Sequence, residues 1–299
     1  MLLMPIVRQL INWAEQQDAV RAMLLTSTRA IPNAHIDIFS DYDVVLIVQD
    51  IHPFIEDKTW LQVFGKVLVT YWDPIHPNPS FGIEQSGNII QYADSLKIDF
   101  TLWSVDLLRR IATAPTPLAE LDMGYAVLMD KDHLTDDLRA PTYRAYIPAK
   151  PSNEAFQQVI NNFFSSVPYV AKCLWRDEVM PAKWCLDFDM KHPFLRQMLE
   201  WRVELDHDWS VAPGVLGKGL KKRLPPDIWT HLESTYAGAA VEANWEALYQ
   251  TIALFRRVAN EVAAHLGYAY PHDLDQRVTA LAQKMQSTPN PTPAAPQTL

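Results

Sequence analysis

The hydrophobic period of this chain changes near residue 150, which confines it to two unlike halves. Before that point short apolar runs alternate with helix-like stretches. After Ser152 one spacing dominates: Phe156, Val159, Ile160, Phe163, Phe164 and Val167 fall on a single helical stripe. His192–Leu205 and Trp245–Leu266 continue the helical pattern. The segment Tyr143–Asn153, with Pro148 and Pro151, reads as the linker between the halves. Strand-like and helix-like stretches are expected to alternate over 1–148, and helices to dominate over 149–285. The Pro-rich stretch 286–299 is expected to be a disordered tail.

The first half can be read more closely. Ile6–Val20 has helical spacing, and Ala22–Leu25 is a short strand ending in the turn Thr26-Ser27-Thr28. Val44–Val48 is continuous and mostly β-branched, the signature of a strand buried on both faces. Trp60–Lys66 is expected to be a short helix and Val67–Tyr71 a strand. Asp73–Ser80 carries three prolines and is expected to be a loop. Asn88–Tyr92 and Leu96–Trp103 read as strands around a turn at Ala93-Asp94-Ser95, and Val105–Ala112 as a helix.

Composition narrows the partners. The 299 residues are 48% hydrophobic and 20% charged, with a net charge of −9. So acidic a surface does not attract a phosphate backbone, which argues against a general nucleic-acid binder. It suits a cationic partner. The two cysteines, Cys173 and Cys185, match neither a zinc nor a redox spacing. No apolar run reaches the roughly eighteen residues of a membrane span, and Met1–Leu10 is too short and broken for a signal segment. A cytoplasmic protein, with a monomer favoured, is the expectation.

The chemistry concentrates in acids. Asp41 and Asp43 are two apart at a strand start, so their side chains share one face. Asp99 interrupts another apolar strand, where a carboxylate is costly without compensation. Three such carboxylates on adjacent strands make a hard-oxygen site suited to magnesium. Ions there can bridge nucleotide phosphates and stabilise a leaving pyrophosphate. The plainer alternatives are a turn role for Asp41 and a backbone-amide partner role for Asp43. Ser27 and Thr28 offer hydroxyls and amides to phosphate at a turn, and Arg29 a bidentate cation. Lys172 and Arg176 share a helix face; they can meet phosphate or pair with Glu178. Asp177 and Glu178 can orient or deprotonate an acceptor hydroxyl, or can be plain surface.

Ser27-Thr28-Arg29, Pro32-Asn33 and Phe39-Ser40-Asp41-Tyr42-Asp43 resemble the GSR, PN and F-x-DYD motifs of the aminoglycoside 6-adenylyltransferase (streptomycin adenylyltransferase) family. Phe64-Gly65-Lys66, Lys97 and Asp99 in KIDFTL, Tyr169–Lys172 and Arg176-Asp177-Glu178 follow in the family order. So do Trp201, His207, Gly214, Lys218, Leu224-Pro225, Trp229, Leu266-Gly267-Tyr268 and Tyr270-Pro271. The resemblance implies an α+β fold: a nucleotidyltransferase domain (1–148), a mixed β-sheet flanked by helices, followed by a helical-bundle acceptor-binding domain (149–285), with the acceptor between them. It implies Mg2+-dependent transfer of AMP from ATP to a hydroxyl of a polycationic aminoglycoside such as streptomycin. Asp41, Asp43 and Asp99 would hold the metal. Ser27, Thr28, Arg29, Lys172, Arg176 and Lys218 would meet the nucleotide, and Asp177 would serve the acceptor. Two departures stand out: Ser27 replaces the family glycine, and Val215 replaces a lysine near Lys218. The same fold acting on another small-molecule or protein hydroxyl is the alternative, as is a non-catalytic nucleotide-binding protein.

Overall fold

The computed structural model describes residues 5–290, which form two compact units dividing between Ala145 and Tyr146. The expected boundary lay three residues later. Asp122 explains the difference. Its buried carboxylate accepts from the Thr142 amide and hydroxyl, each at 2.8 Å, and its carbonyl accepts from the Tyr143 amide. These bonds hold residues 142–143 to the first unit, so the chain leaves it only afterwards.

The first unit is built on one mixed sheet. Its strands are β1 (Val20–Thr26), β2 (Tyr42–Val48), β3 (Val67–Trp72), β4 (His76–Pro77), β5 (Glu84–Tyr92), β6 (Lys97–Ser104) and β7 (Tyr125–Asp130). The spatial order is β3-β5-β6-β2-β1-β7, with β4 on β5. Strands β2 and β6 are parallel; the other pairings are antiparallel. The residues of Val44–Val48 are buried on both faces of the sheet, as their unbroken apolar run requires. On one face Val44, Leu46 and Val48 join Ile98, Phe100, Leu102, Ile90 and Tyr92 beneath the helix Pro5–Gln16. On the other, Val45 and Ile47 pack with Trp103 against Leu107, Leu108 and Ile111 of the helix Val105–Thr113.

That second helix covers only part of its face. The Ser104 hydroxyl caps it by accepting from the Leu107 amide. Its apolar residues meet the later part of β2, and the first residues of β2 and β6 stay uncovered. The sequence changes there too: Val45 gives way to Asp43, and Thr101 to Asp99.

Several elements differ from the sequence reading. Trp60–Lys66 is a 3-10 helix over Thr59–Phe64. The Pro-rich loop contains the two-residue strand β4, because Pro77 ends a ladder that needs no further amide. Strand β7 carries no alternating pattern and was not evident from its letters.

The second unit is helical. Its longest helices are Asn153–Trp175, Val241–Leu266 and His272–Ser287. A π-helical stretch, Trp184–Leu195, runs into the helix Arg196–Leu205, so the expected His192–Leu205 helix begins inside a wider coil. Pro193 lies in that stretch, where its missing amide removes one ladder bond. Phe163 stacks on Phe255 with ring centroids 3.7 Å apart, at the centre of the core. The expected disordered tail does not start at residue 286. Gln286 and Ser287 complete the last helix, the Thr288 carbonyl accepts from Trp175 Nε1 at 2.8 Å, and Asn290 Nδ2 donates to the Trp175 carbonyl at 2.8 Å. Residues 291–299 of that expectation lie outside the described residues. No helix among the described residues is long and apolar enough to cross a membrane.

Candidate active site

A single row of paired residues crosses the sheet at the uncovered end. It runs Tyr71, Ile89, Asp99, Asp43, Thr26 and Tyr125, from β3 to β7. Residues paired across neighbouring strands point to the same face. The carboxylates of Asp43 and Asp99 therefore stand side by side. They line a cavity of about 860 Å³, together with Thr26, Ser27, Thr101 and Asp73. Every residue lining it lies between Thr26 and Met123, within the first unit.

The two acids are held in an unfavourable state. Burial raises the pKa of Asp43, the Asp99 charge raises it further, and a hydrogen bond from Ser27 opposes both. Burial also raises Asp99, against the hydrogen bond and charge of Lys97. One oxygen of Asp99, Oδ1, is buried with no hydrogen-bond partner. An orphaned carboxylate oxygen costs free energy unless something positive meets it.

Lys97 partly answers that need, and the sequence reading gave it no role beyond matching a family position. It shares a face with Asp99, two residues along β6. Its Nζ donates to Asp99 Oδ2 at 2.8 Å and to Asp41 Oδ2 at 2.5 Å. Burial works against the ammonium, but the hydrogen bonds to Asp41 and Asp99 outweigh it and raise its pKa. The three expected acids do converge, yet Asp41 reaches the others through Lys97. Among the described residues no three His, Cys, Asp or Glu side chains are grouped to hold a metal ion. The donor set present is the pair Asp43 and Asp99. Two carboxylates and a free buried oxygen fit magnesium, which commonly takes one or two carboxylates and completes its shell with water and substrate phosphates. Asp41 as a third direct ligand is not what the geometry offers, because its carboxylate is already paired.

The turn after β1 also differs from expectation. Ser27 opens a four-residue 3-10 helix, Ser27–Ala30, with a φ of 59°. That is the left-handed region, which costs a non-glycine residue roughly 1 kcal/mol or more. The backbone conformation accounts for glycine in the family motif that Ser27 resembles. Ser27 compensates with its hydroxyl, which bonds the Asp43 carboxyl. Thr28 is half-buried and does not line the cavity. Arg29 turns away from the role expected for it. Its Nε donates to the Asp41 carbonyl at 2.8 Å, its Nη2 to the Ser40 carbonyl at 2.6 Å, and its plane lies over the Tyr42 ring at 3.8 Å. Arg29 thus pins the approach to β2, which is how Asp41 and Asp43 come to be aimed.

Profile comparison decides the lineage. The profile of the streptomycin adenylyltransferase family matches residues 4–285. The chain belongs to that family. It is therefore a nucleotidyltransferase. Relatives of this streptomycin adenylyltransferase family member include an aminoglycoside 6-adenylyltransferase of Campylobacter jejuni, 29% identical over 262 residues, covering 87% of this chain and 88% of that protein. The enzyme of the same name from Bacillus subtilis (strain 168) is 29% identical over 270 residues, covering 90% and 92%. That from Staphylococcus aureus is 26% identical over 267 residues, covering 87% and 90%. The crystal structure of an aminoglycoside 6-adenyltransferase from Bacillus subtilis superposes with a TM-score of 0.44 at 24% identity, covering 96% of this chain and 100% of that one.

The remaining residues expected at the family site lie in the helical unit. Lys172 is exposed on the helix Asn153–Trp175, Arg176 caps that helix, and Asp177 follows at a φ of 60°. Lys218 is exposed after the short 3-10 turn Val215–Gly217. None of the four lines the cavity that holds Asp43 and Asp99.

Proposed function

We propose that this chain transfers AMP from ATP to a hydroxyl of an aminoglycoside and releases pyrophosphate. The observation that carries the reading is the side-by-side placement of Asp43 and Asp99, one with an orphaned oxygen, in the lining of a cavity of about 860 Å³. The names of the relatives supply the acceptor class.

Asp43 and Asp99 would hold a magnesium ion, which when bound polarises phosphoryl oxygens and neutralises charge on the leaving pyrophosphate. The protein's own groups do the positioning. Lys97 holds the Asp99 and Asp41 carboxyls in place through its two hydrogen bonds. Ser27 orients the Asp43 carboxyl, and Arg29 braces the segment before β2. Fixed groups of this kind lower the barrier mainly by orientation and by electrostatics in a partly dry site. A cationic acceptor would be drawn to a cavity whose lining acids are Asp43, Asp73, Asp99 and Glu120, in a chain of net charge −9.

The test is pyrophosphate release with ATP, magnesium and a panel of aminoglycosides that includes streptomycin. Asp43→Asn and Asp99→Asn should each lower kcat by about 10²-fold or more, with circular dichroism unchanged. Equal activity in either variant would overturn the site. Release with no aminoglycoside, but with another hydroxyl compound, would move the chain to a different acceptor.

A further inference from the structure

The cavity contains a second wall that the family motifs do not touch, and one acid on it stands apart from the metal pair. Asp73 follows β3 directly. Its amide donates to the Gly87 carbonyl at 2.9 Å, and the Ser86 hydroxyl donates to the Asp73 carbonyl at 3.0 Å. The backbone of Asp73 is thus fixed to β5 from both sides. Strand alternation then sends its side chain to the face that carries Tyr71, Ile89 and Asp99.

Gly87 is what lets that carboxylate reach inward. A methyl group at position 87 would lie 3.0 Å from Asp73 Oδ2. The acid therefore leans over a notch in β5 that any side chain would fill. Gly87 pairs with Thr101, so it sits diagonal to Asp99 across the β5–β6 ladder. Asp73 thus lines the same cavity as Asp43 and Asp99, one ladder position along the sheet from them.

The other groups facing this space are accounted for. Among the described residues Asp73 has no cationic partner; its carboxyl is bonded by the Tyr71 hydroxyl. His76, the obvious base, is occupied at both ring nitrogens. Nδ1 lies 2.9 Å from the Pro74 carbonyl, which can only accept, so Nδ1 carries the proton. Nε2 then accepts from Gln85 Nε2 at 3.1 Å, and Gln85 Oε1 accepts from Asn78 Nδ2 at 2.9 Å. Asp43 and Asp99 would hold the metal, and Glu120, also in the lining, is exposed.

We infer that Asp73 receives the proton of the acceptor hydroxyl, an assignment that rests on the adenylyl-transfer reading above. As the acceptor oxygen bonds to the α-phosphorus, its proton passes to a carboxylate oxygen of Asp73. The bond from the α-phosphorus to the oxygen bridging the β-phosphorus breaks, and its electron pair leaves on pyrophosphate. Asp73, half-exposed, returns the proton to water. This places the base on the sheet unit rather than at Asp177.

Three variants test the assignment, read by kcat, by KM for the acceptor, and by the Kd of an ATP analogue with magnesium. Asp73→Asn should lower kcat by roughly 10²–10⁴-fold and leave analogue binding within threefold. Asp73→Glu should recover part of the loss. Gly87→Ala keeps every charge but sets a methyl 3.0 Å from Asp73 Oδ2, so circular dichroism and a melting curve must show its fold intact. Its methyl displaces the Asp73 carboxylate and should still lower kcat by about tenfold or more. A kcat for Asp73→Asn within threefold of wild type, or the same loss of kcat with unchanged analogue binding in Asp177→Asn instead, would overturn the inference alone. A wild-type chain that adenylylates no aminoglycoside would overturn both it and the reading beneath it.

Discussion

Asp43 and Asp275 are the same residue treated in opposite ways. In the helical unit Asp275 is 2% exposed, and both its oxygens are used. Oδ2 accepts from Arg256 Nε and from the Tyr270 hydroxyl at 2.8 Å; Oδ1 accepts from Arg256 Nη2 at 2.6 Å and the Thr279 hydroxyl at 3.0 Å. Burial alone would raise its pKa, but those bonds outweigh it and hold the carboxyl below the usual range. In the sheet unit Asp43 is raised instead, by burial and by the neighbouring charge of Asp99, whose own Oδ1 is bonded to nothing. A carboxylate that stabilises the fold is saturated by its own chain. One reserved for a ligand is left short of partners, and the fold carries the cost.

That contrast can be broken by mutation. Removing Asp275 leaves the Tyr270 and Thr279 hydroxyls without their buried acceptor and the half-exposed Arg256 without its partner, so Asp275→Ala should destabilise the helical unit by about 2 kcal/mol, seen as an earlier transition in urea. The reverse is expected at the sheet. Asp43→Asn relieves a repulsion, so the metal-free variant should melt roughly 2–4 °C above wild type while losing adenylyl transfer. A lower melting temperature would mean that the pair stabilises the fold and that the contrast is false.

The pH dependence sharpens the same point. Asp43 and Asp99 have raised values in the folded chain, so on acidification they take up protons before their unfolded counterparts do. Their penalty is full at neutral pH and fades as the pH falls towards the ordinary carboxylate value near about 4. The stability gap between Asp43→Asn and wild type should therefore shrink from pH 7 to pH 4.5 in metal-free buffer. Asp275, held low, keeps its contribution through that range and loses it only below. The smallest effect concerns Ser27. Ser27→Gly relieves the left-handed backbone and Ser27→Ala does not, while both lose the bond to Asp43. The glycine variant should exceed the alanine variant by about 1 kcal/mol in chemical denaturation.

Much of this was legible in the letters, for identifiable reasons. The run Val44–Val48 could only be a strand covered on both faces, and it is. Asp99 stood out because a lone acid in KIDFTLW contradicts its apolar surroundings. The change of period near residue 150 separated sheet from bundle. The backbone bonds of Arg29 were not legible, because a cation after a Ser-Thr turn is as good a partner for backbone carbonyls as for phosphate, and the path of residues 31–41 brings the carbonyls of Ser40 and Asp41 to it. Lys97 was passed over although its spacing from Asp99 already put both on one face.

The sequence by itself determined which residues alternate, which strands are buried and where the acids interrupt them, because these follow from local period and desolvation. Tertiary structure alone decided that Asp99 stands opposite Asp43, that Lys97 takes Asp41 out of the pair, and that Asp73 leans over Gly87. Each depends on the register between strands far apart in the chain. A shift of one residue in any ladder would turn these side chains to the opposite face without changing a letter.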